Sequence, residues 1–199
     1  MAAPNMREKI LAAAAQLFAD KGYSAVSMRD IATAVGVTQA NLYYYFKDKE
    51  ALIRSVLEYA FTGKDRALVA AAAGDAALEQ RLEQAIAWFL TLLFEDAVLA
   101  KLFFRELMTD DRDRLKFLTE NIFQDSFDTL VTILGEYLDT PDPLQAAIFL
   151  TSTLIGYRQF ARIIPHLHGA KAEYVEPAAI ARHFMDEMRK LSKENALAR

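Results

Sequence analysis

The twenty residues from Ser27 to Phe46 constrain the fold more than any other part of the chain. Ser27 is placed as an N-cap with Asp30 three residues on, close to a capping box. Ile31, Ala32 and Val35 then recur at helical spacing. Gly36 ends that helix, because glycine takes the left-handed backbone of a C′ position at little steric cost. Val37 plugs the corner, and Thr38 caps a second helix. Two short helices joined by a tight turn with glycine predict a helix-turn-helix unit.

The second helix sorts by face. At about 100° per residue, Leu42, Tyr45 and Phe46 lie on one side, the side expected to face the core. Gln39 and Tyr43, and Ala40 and Tyr44, are i, i+4 pairs on the opposite side, with Asn41 between them. Three consecutive tyrosines span too wide an arc for all to be core, so at least one points outward. Glutamine can bond adenine in a bidentate way and alanine can touch a thymine methyl. Tyrosine hydroxyls can donate to phosphate oxygens and fix register. Lys49 stands at the next helix start, where a cation plus free backbone amides suits a phosphate. This pattern points to a helix that docks in the major groove of double-stranded DNA.

The resemblance then becomes specific. In order along the first quarter of the chain stand Ile10-Leu11-Ala12-Ala13-Ala14, Leu17-Phe18, Lys21-Gly22-Tyr23, Ser27-Met28-Arg29-Asp30-Ile31-Ala32, Val35-Gly36-Val37 and Leu42-Tyr43-Tyr44-Tyr45-Phe46-Lys47-Asp48-Lys49-Glu50-Ala51-Leu52. Together they resemble the DNA-binding domain of the TetR family of bacterial transcriptional regulators. The resemblance implies an all-α fold of about nine helices. A three-helix DNA-binding domain would come first, followed by a larger ligand-binding and dimerisation domain. It implies a DNA-contacting set of Ser27, Met28, Thr38, Gln39, Ala40, Asn41, Tyr43, Tyr44 and Lys49. It also implies a homodimeric repressor, released from a palindromic operator by a small apolar or amphipathic effector.

Composition agrees with a globular, cytoplasmic regulator. Of 199 residues, 53% are hydrophobic and 25% charged, a balance that excludes disorder. Seven Gly and five Pro leave few breaks and favour long helices. With no cysteine there is no disulfide framework and no thiol chemistry. No apolar run approaches a membrane span, and the N-terminus lacks a signal-type core. The net charge of −4 is unexpected for a DNA binder. However, residues 1–60 hold seven Lys/Arg against six Asp/Glu, and the remainder 16 against 21. The acid therefore lies outside the proposed reading head, whose contacts should come from a placed helix rather than a broad basic field.

Along the chain, apolar spacing predicts helices over about 5–21, 28–35, 39–46 and 49–62. The DNA-binding domain is expected over 1–48 and the ligand-binding and dimerisation domain over 49–199, with helix 49–62 linking them. Ala70 to Asp75 reads as a boundary, with Asp75 capping a fifth helix. Further helices are expected from Ala97 to Met108, from Leu115 to Leu138, from about Leu144 to Ile164 and from about Pro177 to Lys193. The helix from Leu144 is apolar nearly all round, which requires burial on more than one side. With a stripe of Ile180, Phe184, Met188 and Leu191 on the last helix, helices 144–164 and 177–193 are expected to form a four-helix dimer interface. Trp88, Phe123, Tyr157 and Arg158 are the candidates for lining an effector pocket among the bundle helices. Arg105 and Glu106 are expected to form a structural ion pair.

No enzyme is expected. The chain has no Gly-rich phosphate loop and no HExxH, and no nucleophile–base set emerges. His166 and His168 with Glu173 lack the spacing of a metal site. Asp110, Asp111 and Asp113 lack the glycine and terminal Glu of a calcium loop and suit a solvated helix start. No cofactor and no metal are expected. The competing reading is a helical interaction module without sequence-specific DNA binding.

Overall fold

Cap chemistry decides where many of the helices begin. The computed structural model describes residues 5–64 and 76–197, with side chains of the last helix as far as Lys190. The helices are α1 (Met6–Lys21), α2 (Met28–Val35), α3 (Gln39–Tyr45), α4 (Lys49–Phe61), α5 (Leu78–Glu95), α6 (Ala97–Leu107), α7 (Arg112–Leu118), α8 (Gln124–Leu138), α9 (Pro143–Phe160) and α10 (Pro177–Leu197). A five-residue π-turn, Thr119–Phe123, joins α7 to α8. With residues 112–138 counted as one interrupted helix, the described residues hold nine helices, the expected number. The expected boundary at Ala70–Asp75 and the Asp75 cap lie outside the described residues.

The chain divides into two compact units, residues 1–63 with 96–123 and residues 64–95 with 124–199. In the first, Asn5 and Glu8 form a capping box on α1, and Ser27 and Asp30 form one on α2. The amide of Asp30 donates to Ser27 Oγ at 3.1 Å, and that of Ser27 to Asp30 Oδ2 at 2.8 Å. Gly36 closes α2 in the left-handed region at φ 77°. Thr38 accepts from the Asn41 amide at 3.1 Å to start α3. Asp48 accepts from the Ala51 amide at 2.7 Å to start α4. The core of this unit runs from Ile10, Leu11, Ala14 and Phe18 of α1, through Ile31 and Leu42, to Leu52, Ile53, Val56 and Leu57 of α4. α6 packs on α1 and adds Leu99, Leu102 and Phe103.

Gly22 turns the chain out of α1 at φ 85° and ψ 158°, a region that is essentially glycine-only. A Cβ there would lie 2.8 Å from Arg105 Nη1. Arg105 donates from Nε to the Ala19 carbonyl at 3.0 Å and from Nη2 to that of Asp20 at 2.9 Å, capping the end of α1. Gly22→Ala therefore loses about 1–3 kcal/mol of stability. In urea the midpoint falls with the slope unchanged; an unshifted midpoint would remove the claim of strain.

In the second unit α5, α8, α9 and α10 surround Leu82, Ile86, Leu90, Ile133, Leu134, Leu150, Leu154, Ile180, Met185 and Met188. α9 buries Ala147, Leu150 and Leu154. Its opposite side exposes Leu144, Ile148, Phe149 and Phe160. The helix is thus apolar on two sides, and its own unit covers one of them. Ile180 and Met188 of α10, expected to face a partner, are buried within their own unit and Phe184 is half-buried. The Leu191 side chain lies outside the described residues.

Two further differences have local causes. The segment expected as one helix from Leu115 starts at Arg112, because Asp111 accepts from the Arg114 amide at 3.0 Å and caps it. Arg105 and Glu106 do not pair with each other. Adjacent helical residues point to different faces, so each finds its own partner. Among the described residues no helix is long and apolar enough to cross a membrane.

Candidate nucleic-acid interface

α3 buries Leu42, with Phe46 buried just beyond its end, and so presents its other face to solvent. On that face Gln39, Ala40 and Asn41 are exposed, Tyr43 is 46% exposed and Tyr44 84%. An exposure of 84% for a tyrosine has no packing explanation within the unit. Tyr44 meets the half-buried Tyr45 ring edge to face, with centroids 5.3 Å apart. Thr38 is exposed at the head of the helix and its hydroxyl is the cap.

The α2 start and α3 meet around a shallow concavity of about 400 Å³. Ser27, Met28, Gln39, Tyr43 and Lys49 of the expected set line it, joined by Ser24, Ala25, Val26 and Arg29. Thr38, Ala40, Asn41 and Tyr44 are solvent-facing but not part of its lining. Met28 is only 6% exposed, so its side chain belongs mainly to the core. Arg29 and Ser24 were not singled out from sequence. The signal for Arg29 was present, a cation two residues past an N-cap on the polar face of an amphipathic helix.

The electrostatics are mixed. The Asp30 carboxyl is held below its ordinary value by hydrogen bonds from the Ser27 side chain and amide, so it keeps its charge beside α2. Lys49 is half-buried, and its ammonium sits 4.1 Å over the Tyr23 ring. Burial, then the charge of Arg114, pulls the Lys49 pKa down. The cations at this face are thus individually placed, not pooled in a field.

The effector candidates do not gather at one place. Phe123 packs edge-on against Phe61 at 5.3 Å and Phe103 at 5.6 Å in the first unit. There it lines a small, partly open cavity of about 60 Å³ with Leu57, Phe61, Phe103, Glu106 and Leu118 among its walls. Trp88, Tyr157 and Arg158 belong to the second unit. The Trp88 indole donates to the Lys64 carbonyl. The Tyr157 hydroxyl donates to the Tyr174 carbonyl at 2.9 Å. Arg158 Nε donates to the Leu93 carbonyl at 2.9 Å while its guanidinium lies 4.9 Å over the Phe94 ring. Each polar tip of these three already has a backbone partner.

With this geometry in view, comparison with known proteins is informative. The family profile described as bacterial regulatory proteins, tetR family, matches residues 10–56, which run from α1 into α4. The HTH-type transcriptional repressor KstR2 of Mycolicibacterium smegmatis is 43% identical over 51 residues, 26% of this chain and 25% of that protein. The chain thus matches about a quarter of the length of this curated relative. Among solved structures, a bacterial regulatory protein in the tetR family from Rhodococcus RHA1 superposes with a TM-score of 0.75 at 22% identity. It covers 96% of this chain and 98% of that one. The transcriptional regulator FadR from Bacillus subtilis, solved in complex with stearoyl-CoA, has a TM-score of 0.75 at 20% identity, covering 91% and 96%. At these identities the superpositions establish a shared fold.

Proposed function

We propose, from the premise that the chain belongs to the TetR family of bacterial regulatory proteins, that it is a ligand-responsive DNA-binding transcriptional regulator acting as a homodimeric repressor. The observation that carries this reading is the outer face of α3. Gln39 and Tyr43 line one concavity with the start of α2 and Lys49, and Tyr44 stands free beside them. Tyrosine, glutamine and lysine at those places supply register, base contact and phosphate contact in that order. The functional division at Lys49, with α4 linking reading head to regulatory part, is kept as part of the proposal.

The exposed side of α9 supports a dimer. Leu144, Ile148, Phe149 and Phe160 form an apolar surface that a monomer has no use for. A two-fold axis through such a face makes an isologous contact. A palindromic operator then offers the two α3 helices successive major grooves, about 34–36 Å apart. For the effector, the apolar walls and single carboxyl of the Glu106 cavity favour a small apolar or amphipathic molecule that widens it. A ligand that prefers a conformer with wrongly spaced α3 helices lowers DNA affinity. Coupling of about 1–3 kcal/mol corresponds to roughly 5–150-fold.

The test is a selection of genomic fragments on the purified protein. Recovery of a palindrome with half-sites about one helical turn apart is the expected result. Salt-sensitive, sequence-blind retention would transfer the case to an interaction module without base readout. On the recovered fragment, Gln39→Ala should lose about 1–3 kcal/mol of discrimination at one base position. Its affinity for a random duplex should barely change. An unaltered base preference would exclude Gln39 from readout.

A further inference from the structure

One buried cation in the first unit is imperfectly satisfied. The Arg114 side chain is 5% exposed and reaches five neighbours. Its Nε donates to Glu106 Oε2 at 2.6 Å, and Nη2 donates to Thr109 Oγ1 at 3.0 Å. Its Nη1 is buried with no acceptor within hydrogen-bond distance. That nitrogen lies 3.6 Å from Glu50 Oε2 and 3.6 Å from Asp111 Oδ2, midway between α4 and the cap of its own helix. The guanidinium also lies 4.5 Å over the ring of Tyr23.

Tyr23 is the shared element. Its ring takes the Lys49 ammonium at 4.1 Å as well as Arg114, and its hydroxyl donates to Glu50 Oε2 at 3.2 Å. Two cations on one ring repel each other, so the place of Lys49 on Tyr23 depends on where Arg114 sits. The direction of the Lys49 pKa agrees, since Arg114 is its second cause after burial. Without Arg114 the ring loses a neighbour that, with Glu50, fixes where it stands, and the ammonium it carries loses its set position. With Arg114 in place the ring stands between the two cations and holds the Lys49 ammonium at the edge of the α2–α3 concavity. Glu106, the main partner of Arg114, also lines the Phe61–Phe103–Phe123 cavity, so the two ends share one ion pair.

We propose that Arg114 is a positioning residue for DNA binding, setting the phosphate-contacting cation Lys49 through the Tyr23 ring and Glu50. This rests on the reading of Lys49 as a phosphate contact. It adds a charge relay from the α6–α7 side of the unit to the reading face.

Removing Arg114 alone leaves Glu106 buried without its partner, so the variant is Glu106→Gln with Arg114→Met, which removes both charges. Tyr23→Leu is the second variant, taking away the shared ring and leaving the ion pair. Binding is measured against salt on two probes, a random-sequence duplex and the fragment recovered above. Losing one phosphate contact lowers the slope of log affinity against log salt by about one. Both variants should show that loss, with affinity down about tenfold at moderate salt. Adding Lys49→Ala to either should cost nothing further, because the same contact is already gone. An unchanged slope, or losses that add to those of Lys49→Ala, would overturn the proposal even if melting temperatures fall. Failure of the wild type to prefer any genomic fragment would instead count against the regulator reading. The random duplex still reports the Lys49 contact in that case.

Discussion

Tyr43→Ala reduces binding of the recovered operator fragment to the level of random DNA, a loss of about a thousandfold or more. The side chain is 46% exposed and lines the concavity between α2 and α3, so its removal takes nothing from the core. Stability should stay within about 0.5 kcal/mol, the range of ordinary surface substitutions. A tyrosine in this place acts by fixing register. Once its hydroxyl contact goes, Gln39 no longer meets its base edge at the right angle. Gel shift and thermal denaturation together decide the matter. Retained operator affinity in a folded variant would sink the docking of α3.

Ile148→Asp combined with Phe149→Asp produces a folded monomer. Both positions lie on the exposed side of α9, opposite Ala147, Leu150 and Leu154, so the four-helix core of the second unit survives. Light scattering after size exclusion should give about the mass of one chain at micromolar concentration. Far-ultraviolet dichroism should remain helical. DNA affinity should fall by about 10²–10⁴-fold, the gain that joining two half-site readers normally supplies. A variant that remains dimeric would place the partner surface elsewhere and leave the exposure of Phe149 unexplained.

What could be read from the sequence and what could not divide along a physical line. The α2–α3 unit was legible almost to the residue because its limits are local, with only the end of α3 differing, at Tyr45 and not Phe46. Ser27, Gly36 and Thr38 act within three or four residues of themselves, and the structure places each as a cap or stop. The outward direction of Tyr43 and Tyr44 followed from helical spacing once Leu42 was set inside. Elements governed by distant partners were not legible. Arg114 stands in a polar run, and only the approach of Glu106, Glu50 and Tyr23 makes it a buried group. Periodicity did not reveal the π-turn at Thr119–Phe123, because one turn of wider winding shifts the apolar phase only slightly. On α9 the spacing established that both sides are apolar. It did not establish which side the chain covers for itself; the structure covers the side of Ala147, Leu150 and Leu154 and leaves Phe149 and Phe160 exposed.

The first compact unit is assembled from two separate stretches of chain, residues 1–63 and 96–123. Arg105 caps α1, Lys101 pairs with Asp20 at 2.6 Å, and Leu99 and Leu102 fill the shared core. The reading head is therefore not a portable cassette. A chimaera spliced after the fourth helix would exchange α1 without the helix that packs on it, leaving two arginine-bonded carbonyls and an apolar strip uncovered. Heads can be traded freely only if the donor supplies a matching α6 or the recipient's α6 already fits. The α2–α3 unit of this chain is thus tied to a stretch of sequence some fifty residues downstream of it.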